Sequence, residues 1–490
     1  MKQDAFDYRV LWTWDYCTFW DDSNFIRGFG ATGENKRRRS FLDDYKRMVD
    51  FCAVHGINGI VIWGALRAHN DGEQQLKDLV RYGRMKGVRI LPGVGLFSYG
   101  GVYYDARKNN IGMTAPPEYH PYSLHSWLKE HPELSAIAAD KKPYATGFLS
   151  DLACPSRIEN IEWFKRALAW LFQEIDVDGV QMEVGDYAVC HCDLCEKKRK
   201  GHENSVFCIE DMIEPYTIAC DVIKSIKPDA WAICETYSSF ASPHQDNKRE
   251  GFGAAIDEKQ KSLLRALPQE TIVQWVMDRA VGLAPLQKWD EYSSTPFKNN
   301  ISRIHAGSQH TLHGPDEWAI HSIGDMVQKS RQSAINGISI FGEESPASPP
   351  SEANYLIFSE FSGYGNPNPN CSMNTFYAQT LDPLYGGSGM SREWERIYIS
   401  GHIARLNKQL QTKTAKDPRH FHPLHLAIDQ PDLVDIVCSM SSQERQKYTL
   451  KLIAETHDIS SKLSGESCRR WSWLENWLWR AEYLHRTIIT

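Results

Sequence analysis

"ENIEWFKRALAWLFQEIDVDGVQME", from Glu159 to Glu183, decides the fold. Glu159–Ile175 reads as a strong helix. Val177–Glu183 reads as a short buried strand with one acid at its exit. A helix feeding straight into a buried strand is the repeating unit of an α/β protein, and the same pairing recurs along the chain. Upstream, "YRVLWTW" (Tyr8–Trp14) leads to the helix "FLDDYKRMVDFCAVHG", whose Phe41, Tyr45, Met48, Val49 and Cys52 fall at helical spacing. "GIVIWG" (Gly59–Gly64), a helix around Leu76–Lys86 stopped by Gly87, and "VRILPGVGL" (Val88–Leu96) follow. A long insertion comes after this third strand. Downstream, "AWAICETY" (Ala230–Tyr237), "TIVQWVMD" (Thr271–Asp278), "NISRIHAG" (Asn300–Gly307) and "ISIFGEES" (Ile338–Ser345) read as strands five to eight, and "ANYLIFSEFSGY" closes the series.

Near-continuous apolar strands imply sheet faces covered on both sides, as in a parallel sheet. Eight βα units predict an α/β fold of the (β/α)8 TIM-barrel type over residues 1–365, with the long insertion after strand three. An open doubly wound sheet would call for a glycine-rich phosphate fingerprint, and none is present. "GNPNPNCS" marks a composition shift. Residues 366–490 are expected to form a mainly helical C-terminal module packed on the barrel. There Trp471, Leu474, Trp477 and Leu478 share a helical face, suited to packing within the chain or to a subunit interface in a homo-oligomer.

The chain has 490 residues, 42% hydrophobic and 24% charged, with a net charge of −7. That balance fits a globular protein and gives no basic surplus for nucleic acid. No stretch approaches a membrane span, and the N-terminus lacks a signal-peptide core. A cytoplasmic location follows, or a periplasmic or secreted one if a leader has been removed. Twelve cysteines without a repeating framework fit mostly reduced thiols.

In such a barrel the functional side chains project from the C-terminal strand ends. Trp12, Trp14 and Asp15 end strand one. Trp63 ends strand two, with Arg67 beyond, and Tyr99, Tyr103 and Tyr104 follow strand three. Glu183 ends strand four, with Asp186 three residues on. Glu235 ends strand five, Trp275 and Asp278 strand six, His305 strand seven, and Glu343 strand eight. A ring of carboxylates among aromatics is what glycoside hydrolysis requires: one carboxylic acid to protonate the leaving oxygen, and a second to activate water or attack the anomeric carbon. Flat rings cover the C–H faces of a pyranose. Glu183, Glu235 and Glu343 are the catalytic candidates. Trp12, Asp15, Trp63, Arg67, Tyr103, Asp186, Trp275, Asp278 and His305 are the substrate-binding candidates. An acid at a strand end also serves as a helix cap or ion-pair partner. Glu183 stands out because a single acid closes an otherwise apolar strand.

The stretch "ACPSRIENIEWFKRALAWLFQEIDVDGVQME" resembles TIM-barrel glycoside hydrolases, in which a short "CPS" segment precedes a helix and a "DG-apolar-x-apolar-E" strand carries a catalytic acid. It is similar in style to family 20 β-hexosaminidases, family 67 α-glucuronidases and related uncharacterised bacterial barrels. "EANYLIFSEFSGYGNPNPN" resembles their last barrel segment. The resemblance implies a glycosidase with Glu183 as general acid. Met182 stands where family 20 carries Asp, which argues against acetamido-assisted catalysis. The long insertion favours exo action on carbohydrate. A sugar-binding barrel without turnover, or a barrel lyase or isomerase, is the alternative; the latter would require a metal triad, a Schiff-base lysine or a phosphate loop.

Cys190, Cys192 and Cys195 form C-x-C-x-x-C after strand four. Three thiolates at this spacing suit three corners of a structural zinc site, with Cys154 or Cys208 as the fourth; free thiols or a loop disulfide are the other readings. No His/carboxylate metal triad stands out, so catalysis is expected to need no cofactor.

Overall fold

The computed structural model describes residues 5–15, 20, 38–66, 72–104, 119–143, 151–183, 189–199, 209–235, 262–263, 265–277, 298–304, 318–331, 335–342, 345–363, 372–413 and 439–489. Eight parallel strands close in chain order: β1 Tyr8–Trp14, β2 Gly59–Trp63, β3 Arg89–Gly95, β4 Gly179–Glu183, β5 Trp231–Glu235, β6 Ile272–Met277, β7 Asn299–Ile304 and β8 Gly337–Phe341. Closure runs from Tyr8 opposite Gly337 to Trp12 opposite Phe341, so no strand is left with an open edge. This is the TIM barrel expected from the sequence. β1 keeps its full apolar run, β2 to β6 are shorter than theirs by one to three residues, and β7 and β8 begin one residue earlier and end three and four residues sooner. "ANYLIFSEF" belongs to a helix, Pro349–Phe361, which follows β8.

Alternation along each strand sorts the side chains. On β4, Gln181 and Glu183 face the barrel interior. Met182, between them, faces the outer layer, where its carbonyl accepts a hydrogen bond from Tyr216 on the helix Ile209–Ile226 (3.3 Å). The lower interior is aromatic, capped by a cation: Tyr8 meets Trp231 edge-on at 4.9 Å, and the Arg89 guanidinium lies over Trp231. The upper interior holds larger groups and must make room for them. Gly93 on β3 does so for Trp63, because a Cβ at 93 would fall 2.3 Å from the indole.

Before β4, Asp176 takes a left-handed conformation (φ 58°) and ends the preceding helical stretch. Arg84 binds Asp176 and Asp178, and Lys227 reaches Asp176 at 3.0 Å, fixing the entry of the strand that carries Glu183. The helices Met390–Lys413, Ser442–Ser460 and Gly465–Ile489 pack together and against the barrel's helices. Arg470 makes a two-point contact with Glu352 (2.8 and 2.6 Å), and Trp318 Nε1 donates to Glu395 (2.8 Å). Trp471, Leu474 and Leu478 are buried, and Trp471 Nε1 donates to the Tyr385 carbonyl (2.8 Å). The tryptophan-rich face is thus covered within the chain.

Candidate active site

The C-terminal ends of β4, β5, β6 and β7 bring four polar side chains and one cation to a common point. Glu183, Glu235, Gln181, Gln274 and Arg303 are all buried. Arg303 Nη1 donates to Glu183 Oε2 at 3.2 Å and to Glu235 Oε2 at 2.9 Å. Gln181 Nε2 donates to the same two oxygens at 3.0 and 3.2 Å. Gln274 Nε2 also donates to Glu235 Oε2. Two acceptors sharing one donor at 3.2 and 2.9 Å are at most about 6 Å apart.

Each member of this group is itself positioned. Gln181 Oε1 accepts from Trp63 Nε1 (2.7 Å), so an aromatic side chain sets which face of the amide points at the carboxylates. The Glu183 carbonyl accepts from the Leu96 N–H (2.8 Å), which ties the end of β4 to the loop leaving β3. The Glu235 carbonyl accepts from Tyr216 (2.8 Å). Burial above all, then the neighbouring Cys234, Glu235 and Glu183, pushes the Tyr216 phenol well up, so it serves as a donor.

An aromatic wall adjoins the carboxylates. The Arg303 guanidinium lies 4.5 Å from the Trp12 ring centre. Trp12 meets Trp14 edge-on at 5.0 Å, and Trp14 meets Tyr104 at 5.3 Å. Trp63 meets Tyr99 at 5.3 Å, and Tyr99 stacks on Tyr104 at 6.0 Å. Tyr99 is held in the left-handed region (φ 49°), as is Phe97 (φ 63°), with Gly100 and Gly101 completing the reversal. Strained residues of this kind persist where the surroundings over-determine them, and they gather at binding sites.

The structure therefore brings together Glu183, Glu235, Trp12 and Trp63 from the sequence candidates. Asp15 is buried at the end of β1, its N–H on the Trp63 carbonyl (2.8 Å). Tyr103 lies elsewhere: its hydroxyl donates to Glu73 (2.6 Å), and its ring stacks on Trp170 at 5.8 Å. Trp275 follows the inward Gln274 and so faces the outer layer, where its Nε1 donates to Asn300 (3.1 Å). Arg67, Asp186, Asp278, His305 and Glu343 lie outside the described residues. Arg303, Gln181 and Gln274 were not singled out in the sequence. The usable signal is period two: Gln181 precedes Glu183 by two residues, and Arg303 follows the buried Ile301 by two on β7.

Among the described residues, the one grouping of potential metal ligands is Cys154, Cys190, Cys192 and Cys195. No helix among them is long and apolar enough to cross a membrane.

Comparison with protein-family models and with curated proteins gives no match. Solved structures do resemble the fold. A GH138 enzyme targeting pectin rhamnogalacturonan II aligns with a TM-score of 0.50 at 11% identity, over 98% of this chain and 57% of that one. A β-N-acetylhexosaminidase aligns with a TM-score of 0.44 at 13% identity, over 77% and 76% of the two chains. An α-amylase from Geobacillus thermoleovorans, complexed with acarbose, gives 0.42 at 13% identity, over 74% and 78%. These barrels belong to carbohydrate-active enzymes. At such identities the likeness is one of fold, and it does not single out families 20 or 67.

Proposed function

We propose that this protein is a glycoside hydrolase that cleaves an oligosaccharide or glycoside through Glu183 and Glu235. The observation that carries the reading is the pair of buried carboxylates gathered on Arg303 beside a wall of tryptophan and tyrosine. Glu183, at the end of β4, is the proton donor to the leaving oxygen in its protonated form, which is reached as pH falls; ionised, it pairs with Arg303. Glu235 is the second carboxylate. One oxygen of each carboxylate lies on the same Arg303 nitrogen, at most about 6 Å from the other, and this close approach favours the short carboxylate spacing of double displacement with retention. Arg303 and Gln181 would hold the pair in register, and the rings would cover the sugar's apolar face. The long insertion after β3 favours exo action. No catalytic cofactor is invoked.

A panel of aryl glycosides, assayed from about pH 4 to pH 8, tests the reading. Release from at least one substrate is expected, with the product first appearing in the starting anomeric configuration. No release from any substrate would count against it. A barrel that binds sugar without turnover is the second reading, favoured by the complete burial of Glu235 in its bond to Arg303. It predicts saturable sugar binding that Glu183→Gln leaves intact and no product at any pH.

A further inference from the structure

Four cysteines from two separated segments meet beside the barrel mouth. Cys154 precedes the helix Ile158–Trp170; Cys190, Cys192 and Cys195 follow β4. Their sulfurs all lie within 4.8 Å of one another, with Cys154 Sγ 3.5 Å from Cys192 Sγ and 3.7 Å from Cys195 Sγ. None is in a disulfide, and Cys154, Cys190 and Cys195 are buried. We infer that these four thiolates bind one zinc ion, a structural site that braces the insertion after β3 against the loop leaving Glu183.

Three observations converge on this. The first is size. Four sulfurs about 2.3 Å from one ion in a tetrahedron lie about 3.8 Å apart, close to the observed spacing. A polynuclear iron–sulfur cluster spreads its cysteines over several irons and needs them farther apart. The second is hydrogen bonding. Thiolates require donors, and the backbone N–H of Ile137 points at Cys190 Sγ (3.3 Å). The Ser156 hydroxyl lies 3.2 Å from Cys195 Sγ. Such outer contacts orient metal ligands. The third is charge. Four thiolates exceed the zinc charge by two, and two cations, paired with Glu196 and Asp211 respectively, also donate to the cluster's backbone: Lys141 Nζ to the His191 carbonyl (2.8 Å) and Arg199 Nη2 to the Cys190 carbonyl (2.6 Å). His191 turns away toward Glu196 (3.4 Å), so it is not a ligand.

All four positions are filled by protein sulfur, which leaves no open site for chemistry. The consequence is mechanical. Cys154, before the helix Ile158–Trp170, would be held to Cys190, Cys192 and Cys195, which follow β4.

The purified full-length chain, prepared without chelators, is measured by metal-content and native mass spectrometry. One zinc per chain is expected, released when a mercurial reagent titrates the four thiols. Cys154→Ser should lose most of the zinc, whereas Cys468→Ser, on the C-terminal helix, should keep it. Should Cys154→Ser fail to fold, wild-type protein stripped under reducing conditions decides the matter. It should take up one cobalt(II) per chain with the strong sulfur-to-cobalt absorption of a tetrathiolate site. Reduced protein that holds no zinc and takes up neither metal overturns the inference. Disulfides within the cluster, or iron in place of zinc, do the same.

Discussion

Replacing Arg303 by methionine tests the arrangement at its centre. The side chain keeps an apolar stem of similar length but loses the cation between Glu183 and Glu235. The guanidinium lies 3.2 and 2.9 Å from the two carboxylates, all three groups almost fully buried. At an effective dielectric near 20, each attraction amounts to about 5 kcal/mol. Desolvation of the three groups offsets much of that. Removing one partner of a buried charge cluster still costs about 3–5 kcal/mol, because the remaining charges stay buried. The cation–π contact with Trp12 adds up to about 2 kcal/mol. For a chain of this size, with about 1 kcal/mol per degree of unfolding entropy, the loss corresponds to a fall in melting temperature of about 3–7 °C, read by circular dichroism at neutral pH. The second half of the experiment is Arg303→Met combined with Glu235→Gln. The added amide removes one of the two facing charges, so the double variant should regain at least about half of the loss. A single variant within about 1 kcal/mol of wild type, or a double variant no more stable than the single, refutes the charge-clamp reasoning.

Gly93→Ala would place its Cβ 2.3 Å from the Trp63 indole and disturb the Trp63–Gln181 bond. A loss of about 1–3 kcal/mol and a shift in tryptophan fluorescence are expected; an unchanged melting curve would contradict the close approach. Trp471→Ala empties a buried site and removes a hydrogen bond to Tyr385, at a cost of about 3–5 kcal/mol in the unfolding of the C-terminal helices. Arg84, then Lys227, holds the Asp176 carboxyl below its ordinary value of 3.8. Its stabilisation is therefore present above about pH 4 and lost as pH falls through the lower folded value. Because Asp176 is more than half exposed, Asp176→Asn should cost less than about 1 kcal/mol, and that difference should shrink in acid and in high salt.

The strands were legible because both faces of a barrel strand are buried, so "GIVIW" and "GVQME" stand out as compact runs between helices. Their order then fixed the barrel, and the strand-end rule led to Glu183, Glu235, Trp12 and Trp63. Other residues were hidden for definite reasons. Arg303 lies in "NNISRI", where asparagines and serine conceal an inward-facing cation. Gln181 lies inside a strand that reads as apolar up to its terminal acid, and only strand alternation puts it on the face of Glu183. Trp275 and Gln274 are neighbours in sequence but point to opposite sides, and only the register assigns the inner position to the amide. Tyr99 and Tyr104 join the aromatic wall while Tyr103 does not. That division depends on the left-handed turn at Tyr99, a backbone state that hydropathy does not encode. The choice of Cys154 as fourth partner of the cysteine cluster likewise needed three-dimensional proximity; Cys208 lies outside the described residues.

The most direct test of the central claim is the turnover of Glu183→Gln and Glu235→Gln on the best aryl glycoside, with folding checked by circular dichroism. If the carboxylate pair carries glycoside hydrolysis, each variant remains folded and loses at least about 10²–10⁴ in kcat/KM. Either variant hydrolysing the substrate at the wild-type rate would contradict the account.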